Sequence, residues 1–205
     1  ICLLTPYTIL LLLYKSWWKK LASTKPSADF LPTTSFSILI PARNEENNIA
    51  DCLQSIQQLN YPKHLVEVIV MDDFSDDATV STARQFAGVK IVQLKDVVKE
   101  KINSYKKKAI EIGVEYSTGK YIVTTDADCI VPANWLLNFA FIIEQEPTVF
   151  IAAPVAMKEE SSFIKLFQSL DFISLQGITG ASVAAGFHSM CNGANLCYSK
   201  EAFYK

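Results

Sequence analysis

The amino-acid sequence predicts an α/β fold, an open and mostly parallel sheet flanked by helices in the Rossmann-like manner. Two observations carry that expectation. Short apolar runs alternate with segments of helical periodicity between residues 36 and 153, and three of those runs end in clustered polar or acidic residues. A third observation concerns the start of the chain. Residues 1–13 are almost wholly apolar and lead into Trp17, Trp18, Lys19 and Lys20, which predicts the C-terminal part of a transmembrane helix over residues 1–20.

The visible apolar stretch is shorter than the roughly 20 residues a spanning helix needs, so the remainder of the span is expected upstream. Lys15, Lys19, Lys20 and Lys25 on its exit side place the following residues in the cytoplasm by the positive-inside bias. Residues 21–34, with Pro26 and Pro32 among serines and threonines, read as a linker, and residues 35–205 as one domain. Within that domain, residues 36–40 are a short strand closed by Pro41. Ile49, Leu53, Ile56 and Leu59 recur at helical spacing over residues 47–59. Residues 66–71 form an apolar run ending in Asp72-Asp73, the pattern of a buried parallel strand.

Ser75, Asp76 and Asp77 offer N-caps for a helix through Phe86. A third strand follows over residues 89–94, a lysine-faced helix over 104–116, and a fourth strand over 121–125 that runs into Asp126. Pro132 suits the first turn of a helix reaching Glu144, and a fifth strand is expected over 148–153. Residues 161–176 set Phe163, Ile164, Phe167, Leu170 and Ile173 near one helical face. That face reads as a core helix or, alternatively, as an interfacial helix close to the membrane.

With 205 residues, half of them apolar and a fifth charged, the chain has room for one medium domain and an appendage. The net charge of -2 argues against nucleic acid as the main partner, because phosphate backbones recruit strongly basic faces. Cys2, Cys52, Cys129, Cys191 and Cys197 include no CxxC pair, and His64 and His188 lie far apart. No zinc pattern results, so the thiols read as buried or incidental ones of a reducing compartment.

Ligands of open α/β sheets bind beyond the carboxyl ends of the strands. Here those ends are Pro41-Ala42-Arg43-Asn44-Glu45-Glu46, Asp72-Asp73-Phe74-Ser75 and Asp126-Ala127-Asp128. Asp126 and Asp128, one residue apart, suit a hard cation such as Mg²⁺ or Mn²⁺, which takes carboxylates together with substrate phosphates. An isolated D-x-D is also an ordinary solvated turn. Asp72 and Asp73 suit hydrogen-bond acceptance from a base or ribose, and Arg43 offers a planar fork to phosphate oxygens. Lys106, Lys107 and Lys108 supply further positive charge or form one solvated helix face. Glu45 and Glu46 can also favour the helix that follows them through its dipole.

These stretches, together with Asn192-Gly193-Ala194-Asn195, stand in the order that resembles family 2 glycosyltransferases of the GT-A fold. The resemblance covers about residues 36 to 205. It implies an inverting, metal-dependent transfer from a nucleotide-sugar donor, often a UDP-sugar, to a saccharide or lipid-linked acceptor at the membrane. It implies a nucleotide pocket lined by Pro41, Arg43, Glu45 and Asp72, with Asp73 at the base and Lys106 near the donor. It further places Asp126 and Ala127 by the ribose or donor sugar, and makes Asp128 the main ligand of Mg²⁺ or Mn²⁺. Asn192, Gly193, Ala194 and Asn195 then form part of the donor-sugar and acceptor floor. The acidic catalytic base of the family is expected beyond Lys205. Two positions depart from the family pattern: Phe74 and Tyr105 stand where glycine is frequent. Two readings compete with transfer: a sugar-nucleotide-binding subunit without catalysis, and a haloacid-type phosphatase with Asp126 as nucleophile.

Overall fold

The computed structural model describes residues 4–21, 25–97, 105–158, 162–187 and 190–205. Cys2, the linker residues 22–24, Ser104, Glu159 to Ser161 and His188, all used in the sequence expectations, lie outside the described residues. In chain order the elements are α1 (Leu4–Trp18), β1 (Phe36–Ala42), α2 (Ile49–Gln57), β2 (Val66–Asp72), α3 (Thr79–Ala83), β3 (Val89–Gln93) and α4 (Leu94–Val97). There follow α5 (Tyr105–Tyr116), β4 (Tyr121–Thr124), α6 (Trp135–Gln145), β5 (Phe150–Ala152), α7 (Phe163–Ala184), β6 (Leu196–Ser199) and α8 (Lys200–Phe203). They form two compact units: a helical unit of Ile1–Thr24 with Pro154–Asn192, and a sheet unit of Lys25–Ala153 with Gly193–Lys205. The single domain expected over 35–205 is thus interrupted by residues 154–192.

In the sheet unit the strands run in the order β3-β2-β1-β4-β6-β5. The first four pair in parallel, while β6 runs antiparallel to both β4 and β5. Alternation along β1 explains why the sheet is buried on both sides. Ile38 and Ile40 enter one apolar cluster with Ile49, Leu53 and Leu136, and Leu39 enters another with Met71, Ala109 and Ile122. Burying an Ile or Leu side chain fully stabilises by about 1.5–3 kcal/mol, so the apolar strand runs and the helix faces that cover them secure the fold. Helix α5 approaches closely because Gly113 has no side chain: a Cβ there would stand 2.9 Å from Leu39 Cδ1.

Several boundaries differ from expectation. The linker from Lys25 onward belongs to the sheet unit: Phe30 packs edge-on against Phe141, and Tyr61 Oη donates to the Thr34 carbonyl. Helix α3 is only five residues long and stops at Ala83 rather than reaching Phe86. Asp77 accepts the Thr79 N–H, but Ser75 and Asp76 engage the loop after β1 instead of capping. Strand β6 was not expected. Its four residues carry no alternation that would mark a strand alone, and they are fixed by pairing with the open edge of β4.

In the helical unit α1 packs on α7, where a Cβ at Gly180 would lie 3.1 Å from the Trp18 ring. Helix α1 is described over 15 residues, about 22 Å at 1.5 Å per residue. Among the described residues no helix is long and apolar enough to cross a membrane, so the expected transmembrane span has no support here. The core-helix reading of residues 161–176 also fails: Ala181 is the one buried residue of α7, and of its large apolar side chains Phe163, Ile164, Leu166, Phe167, Leu170 and Ile173 are exposed.

Candidate functional site

The parallel strands order the site. β1 lies between β2 and β4, so the sequence order reverses across the β1–β4 seam, and a crevice is expected beyond the carboxyl ends there. The seam opens where it should. β1 and β4 pair from Phe36↔Tyr121 to Leu39↔Thr124, whereas β1 and β2 continue to Ala42↔Asp72. Pro41, which has no N–H to give a ladder, stands just past the last β4 pairing.

On the β2 side, Asp72 and Asp73 are both buried, and Asp73 N–H donates to the Ala42 carbonyl at 2.8 Å. Asp72 Oδ1 accepts the Ser75 N–H. Asp73 Oδ2 stands 3.6 Å from Arg43 Nη1, an ion-pair distance too long for a hydrogen bond. Its other oxygen, Oδ1, is buried with no hydrogen-bond partner among the described residues. Burial raises the Asp73 pKa, Arg43 pulls it back and the neighbouring Asp72 adds to the rise. A buried acceptor without a donor costs about 1–3 kcal/mol, which makes Asp73 Oδ1 a candidate contact for a bound ligand.

The loops after β1 and β2 are stitched together. Asn44 N–H donates to Ser75 Oγ and Asp76 N–H to Asn44 Oδ1, while Glu45 N–H donates to Thr79 Oγ1 at 2.7 Å. Glu46 N–H donates to Asp77 Oδ2, and Glu46 Oε2 accepts the Ala78 N–H. This exchange holds Asn44 and Phe74 at φ 55° and 56°, in the left-handed region that favours glycine. The departure at Phe74 is therefore a strained one, and its ring compensates by packing on the Leu39–Met71 cluster. Glu45 accepts from Asn48 Nδ2, and its carbonyl starts α2, so its carboxylate serves the helix entry.

On the β4 side Asp126 is half-buried, Ala127 buried and Asp128 exposed. The Asp126 carbonyl accepts the Cys129 N–H and a long contact from Cys52 Sγ at 3.7 Å, which tie down the turn. Burial pushes the Cys52 thiol up to about 12, with the charges of Cys129, Asp128 and Asp126 adding to it, so it stays a neutral packing group. Cys52, Cys129, Cys191 and Cys197 are free thiols. Lys106 Nζ reaches Asp126 Oδ1 at 2.6 Å. Both partners are partly exposed, so the pair adds little stability, on the order of 1 kcal/mol or less. Its meaning is positional: three lysines in the first turn of α5 oppose the helix dipole, with no acid there to offset them. Lys108 pairs with Glu111, and the charge of Lys106 is brought to the acid turn.

The Gly193–Asn195 turn lies beside the end of β4. Thr124 Oγ1 donates to the Gly193 carbonyl, Trp135 Nε1 donates to Asn195 Oδ1 at 2.8 Å, and Ala194 is buried. Asn192 falls in the helical unit. The structure thus brings Pro41, Arg43, Glu45, Asp72, Asp73, Lys106, Asp126, Ala127, Asp128 and the 193–195 turn to one sheet edge. Sequence reasoning missed Cys52, Thr79 and Trp135, whose roles depend on neighbours far along the chain.

Asp126 and Asp128 offer hard oxygen donors on one turn, which suits Mg²⁺ or Mn²⁺. Among the described residues no group of three or more His, Cys, Asp or Glu is arranged to hold an ion. Two carboxylates are the protein share that Mg²⁺ commonly takes, the rest of its shell being phosphate oxygens and water.

Acids at the switch point of a parallel sheet, with cationic side chains beside them, stand where open α/β sheets bind their ligands. The chain belongs to glycosyl transferase family 2, whose model matches residues 37–205. It is 37% identical over 101 residues to glycosyltransferase AglE of Haloferax volcanii, covering 49% of this chain and 32% of that protein. It is 32% identical over 114 residues to a dolichyl-phosphate beta-glucosyltransferase of Drosophila melanogaster, covering 51% of this chain and 34% of the relative. The chain thus matches about a third of the length of these two relatives. Its fold superposes on a mannosyltransferase of Pyrobaculum calidifontis in complex with GDP-Man and Mn²⁺. The TM-score is 0.70 at 24% identity, over 95% of this chain and 53% of that one.

Proposed function

We propose that this chain is the donor-binding part of an inverting glycosyltransferase that moves a sugar from a nucleoside-diphosphate sugar to an acceptor at the membrane. The observation that carries the reading is the convergence of three strand ends at the β1–β4 switch point, with the unpartnered Asp73 oxygen on one side and Asp126 and Asp128 on the other. Asp73 accepts an N–H of the base, a task for which an acceptor-only carboxylate is suited. Arg43 and Lys106 face the diphosphate. Asp126 and Asp128 hold the divalent cation, which supplies Lewis-acid neutralisation of the departing diphosphate. The Gly193–Asn195 turn, steadied by Trp135 and Thr124, floors the sugar side.

The nucleotide is a UDP by the sequence expectation, and the Pyrobaculum neighbour carries GDP-Man, so the donor is assigned as a class. The name of the Drosophila relative supports a polyprenyl-phosphate type of acceptor. Lys15, Lys19 and Lys20 favour the anionic cytoplasmic leaflet, which supports a donor site on the cytoplasmic side.

Titration calorimetry of the full-length protein with UDP or GDP, with and without Mn²⁺, tests the proposal. Asp128→Ala should remove the Mn²⁺-dependent part of binding and cut transfer by about a hundredfold or more, with melting unchanged. Binding and transfer that survive this change would sink the metal assignment. Tight binding with no transfer in the intact protein would favour a non-catalytic nucleotide-binding subunit.

A further inference from the structure

We propose that the first half of α7 lies in the headgroup and upper acyl region of a lipid bilayer, beside α1 of the same helical unit. The inference concerns the helical unit alone and does not depend on sugar transfer. Phe163, Leu166, Phe167, Leu170 and Ile173 recur at helical spacing along α7, and each is more than half exposed, with Phe163 at 82%. On the other side of that helix Gln168 and Ser169 are polar, and Gln176 is satisfied inside the unit. It accepts the Val155 N–H at 2.7 Å and donates to the Val155 carbonyl. The first half of α7 therefore leaves one apolar side uncovered, with Ile164 also exposed next to it and Phe172 half-buried on the opposite side.

Helix α1 is different, and it decides what covers the unit. Ile9, Leu10, Leu11, Leu12 and Leu13 are consecutive, so they point all round the helix, and every one of them is exposed. A single protein face covers one side of such a helix, whereas a fluid apolar solvent surrounds it. The contact between the helices has the form that serves in lipid. Among the small residues of α7, Gly180 makes the close approach: a Cβ there would meet Trp18 at 3.1 Å and Leu21 at 3.3 Å, whereas one at Gly177 would meet nothing within 4 Å. Close approach of small residues is how helices associate where burial from water no longer drives them together.

One end of the unit has the chemistry of a headgroup layer. Tyr14 stacks edge-on with Trp17 at 5.5 Å, and Trp17 meets Phe187 at 5.6 Å. Lys15, Lys19 and Lys20 flank these rings, and α1 contains no acid. Aromatic rings settle at the headgroup level, and lysines beside them are drawn to anionic lipid. Asp171 interrupts α7 midway.

The test places single cysteines at Phe167, Leu170, Gln168 or Ser169 of the full-length protein, with its accessible native cysteines changed to serine. Each carries an environment-sensitive fluorophore and is mixed with phosphatidylcholine vesicles containing about a third phosphatidylglycerol. With brominated acyl chains, labels at 167 and 170 should shift to the blue and dim about twofold or more, while those at 168 and 169 change far less. Labels at 167 and 170 that stay as watery as those at 168 and 169 would overturn the proposal. So would a blue shift that appears without vesicles and grows with protein concentration, the sign that a second copy covers the face. Equal quenching at all four positions would replace the lying helix by a fully immersed one.

Discussion

The two edges of one sheet treat their polar side chains in opposite ways. At the amino edge, Glu67 Oε2 accepts from Ser37 Oγ at 2.6 Å and from the Thr118 N–H, while Ser37 Oγ accepts the Gly119 N–H. Glu144 Oε1 takes the N–H groups of Thr33 and Thr34 and the Thr34 hydroxyl. One oxygen of each carboxylate closes the ends of strands with two or more hydrogen bonds. At the carboxyl edge Asp73 keeps a buried oxygen with no donor, and Asp128 lies exposed. The difference teaches that burial alone does not mark a site. Acceptor capacity left unspent in a place where leaving it costs stability does.

Three substitutions, taken from the largest effect to the smallest, would break or sharpen that contrast. Gly119→Ala attacks the closed edge, since a Cβ there would stand 2.5 Å from the Phe36 and Ser37 backbone. It should destabilise the fold by about 3 kcal/mol or prevent folding, read as the loss of a cooperative melt. An unchanged melting temperature would show the amino edge to be softer than its hydrogen bonds imply. Asp73→Asn attacks the open edge with the opposite signature. It removes a poorly paired buried charge, so melting should stay unchanged or rise by up to about 1 kcal/mol, while nucleotide affinity falls about tenfold or more. A variant that loses stability and keeps affinity would make Asp73 a structural acid. Glu144→Gln should cost about 1 kcal/mol by weakening charge-assisted acceptance, with nucleotide affinity untouched.

The pH dependence separates the edges as well. Burial works against the Glu144 charge, but the hydrogen bonds from Thr34 and Thr33 outweigh it and hold its pKa below the ordinary 4.5. Its contribution is present above that value and is lost as pH falls through the depressed one, so the gap between wild type and Glu144→Gln should close in acid. Asp73 runs the other way. Its raised pKa means that the folded state binds the proton more tightly, a contribution present below the ordinary 3.8 and lost as pH rises through the folded value. The advantage of Asp73→Asn in melting should accordingly appear on raising the pH and vanish below 3.8.

Most strands and helices were legible because their signal is local. The apolar runs at 36–40 and 66–71 and the spacing of Ile49, Leu53 and Ile56 need no distant partner to be read. What failed was what distant contacts make. Leu196–Ser199 is a strand because β4 offers an open edge, and residues 25–34 are ordered because Glu144 and Tyr61 reach them from elsewhere in the chain. At the site, the acids after β2 and β4 and the cations near them were visible as residue types. The pairing of Lys106 with Asp126 and the support from Cys52 and Trp135 were not, since sequence separations of 20 to 74 residues carry no periodic trace.

By itself the sequence determined the order of elements and the three polar strand ends, because hydrophobic periodicity and turn chemistry act over a few residues. The tertiary structure alone decided which strand ends became neighbours, since strand order follows from long-range pairing. It decided that β1 and β4 part after Leu39, that Asp73 keeps an unanswered oxygen, and that α7 turns Phe163 and Phe167 outward. Those outcomes depend on which surfaces are left once every other surface has found a partner, a balance that only the assembled fold strikes.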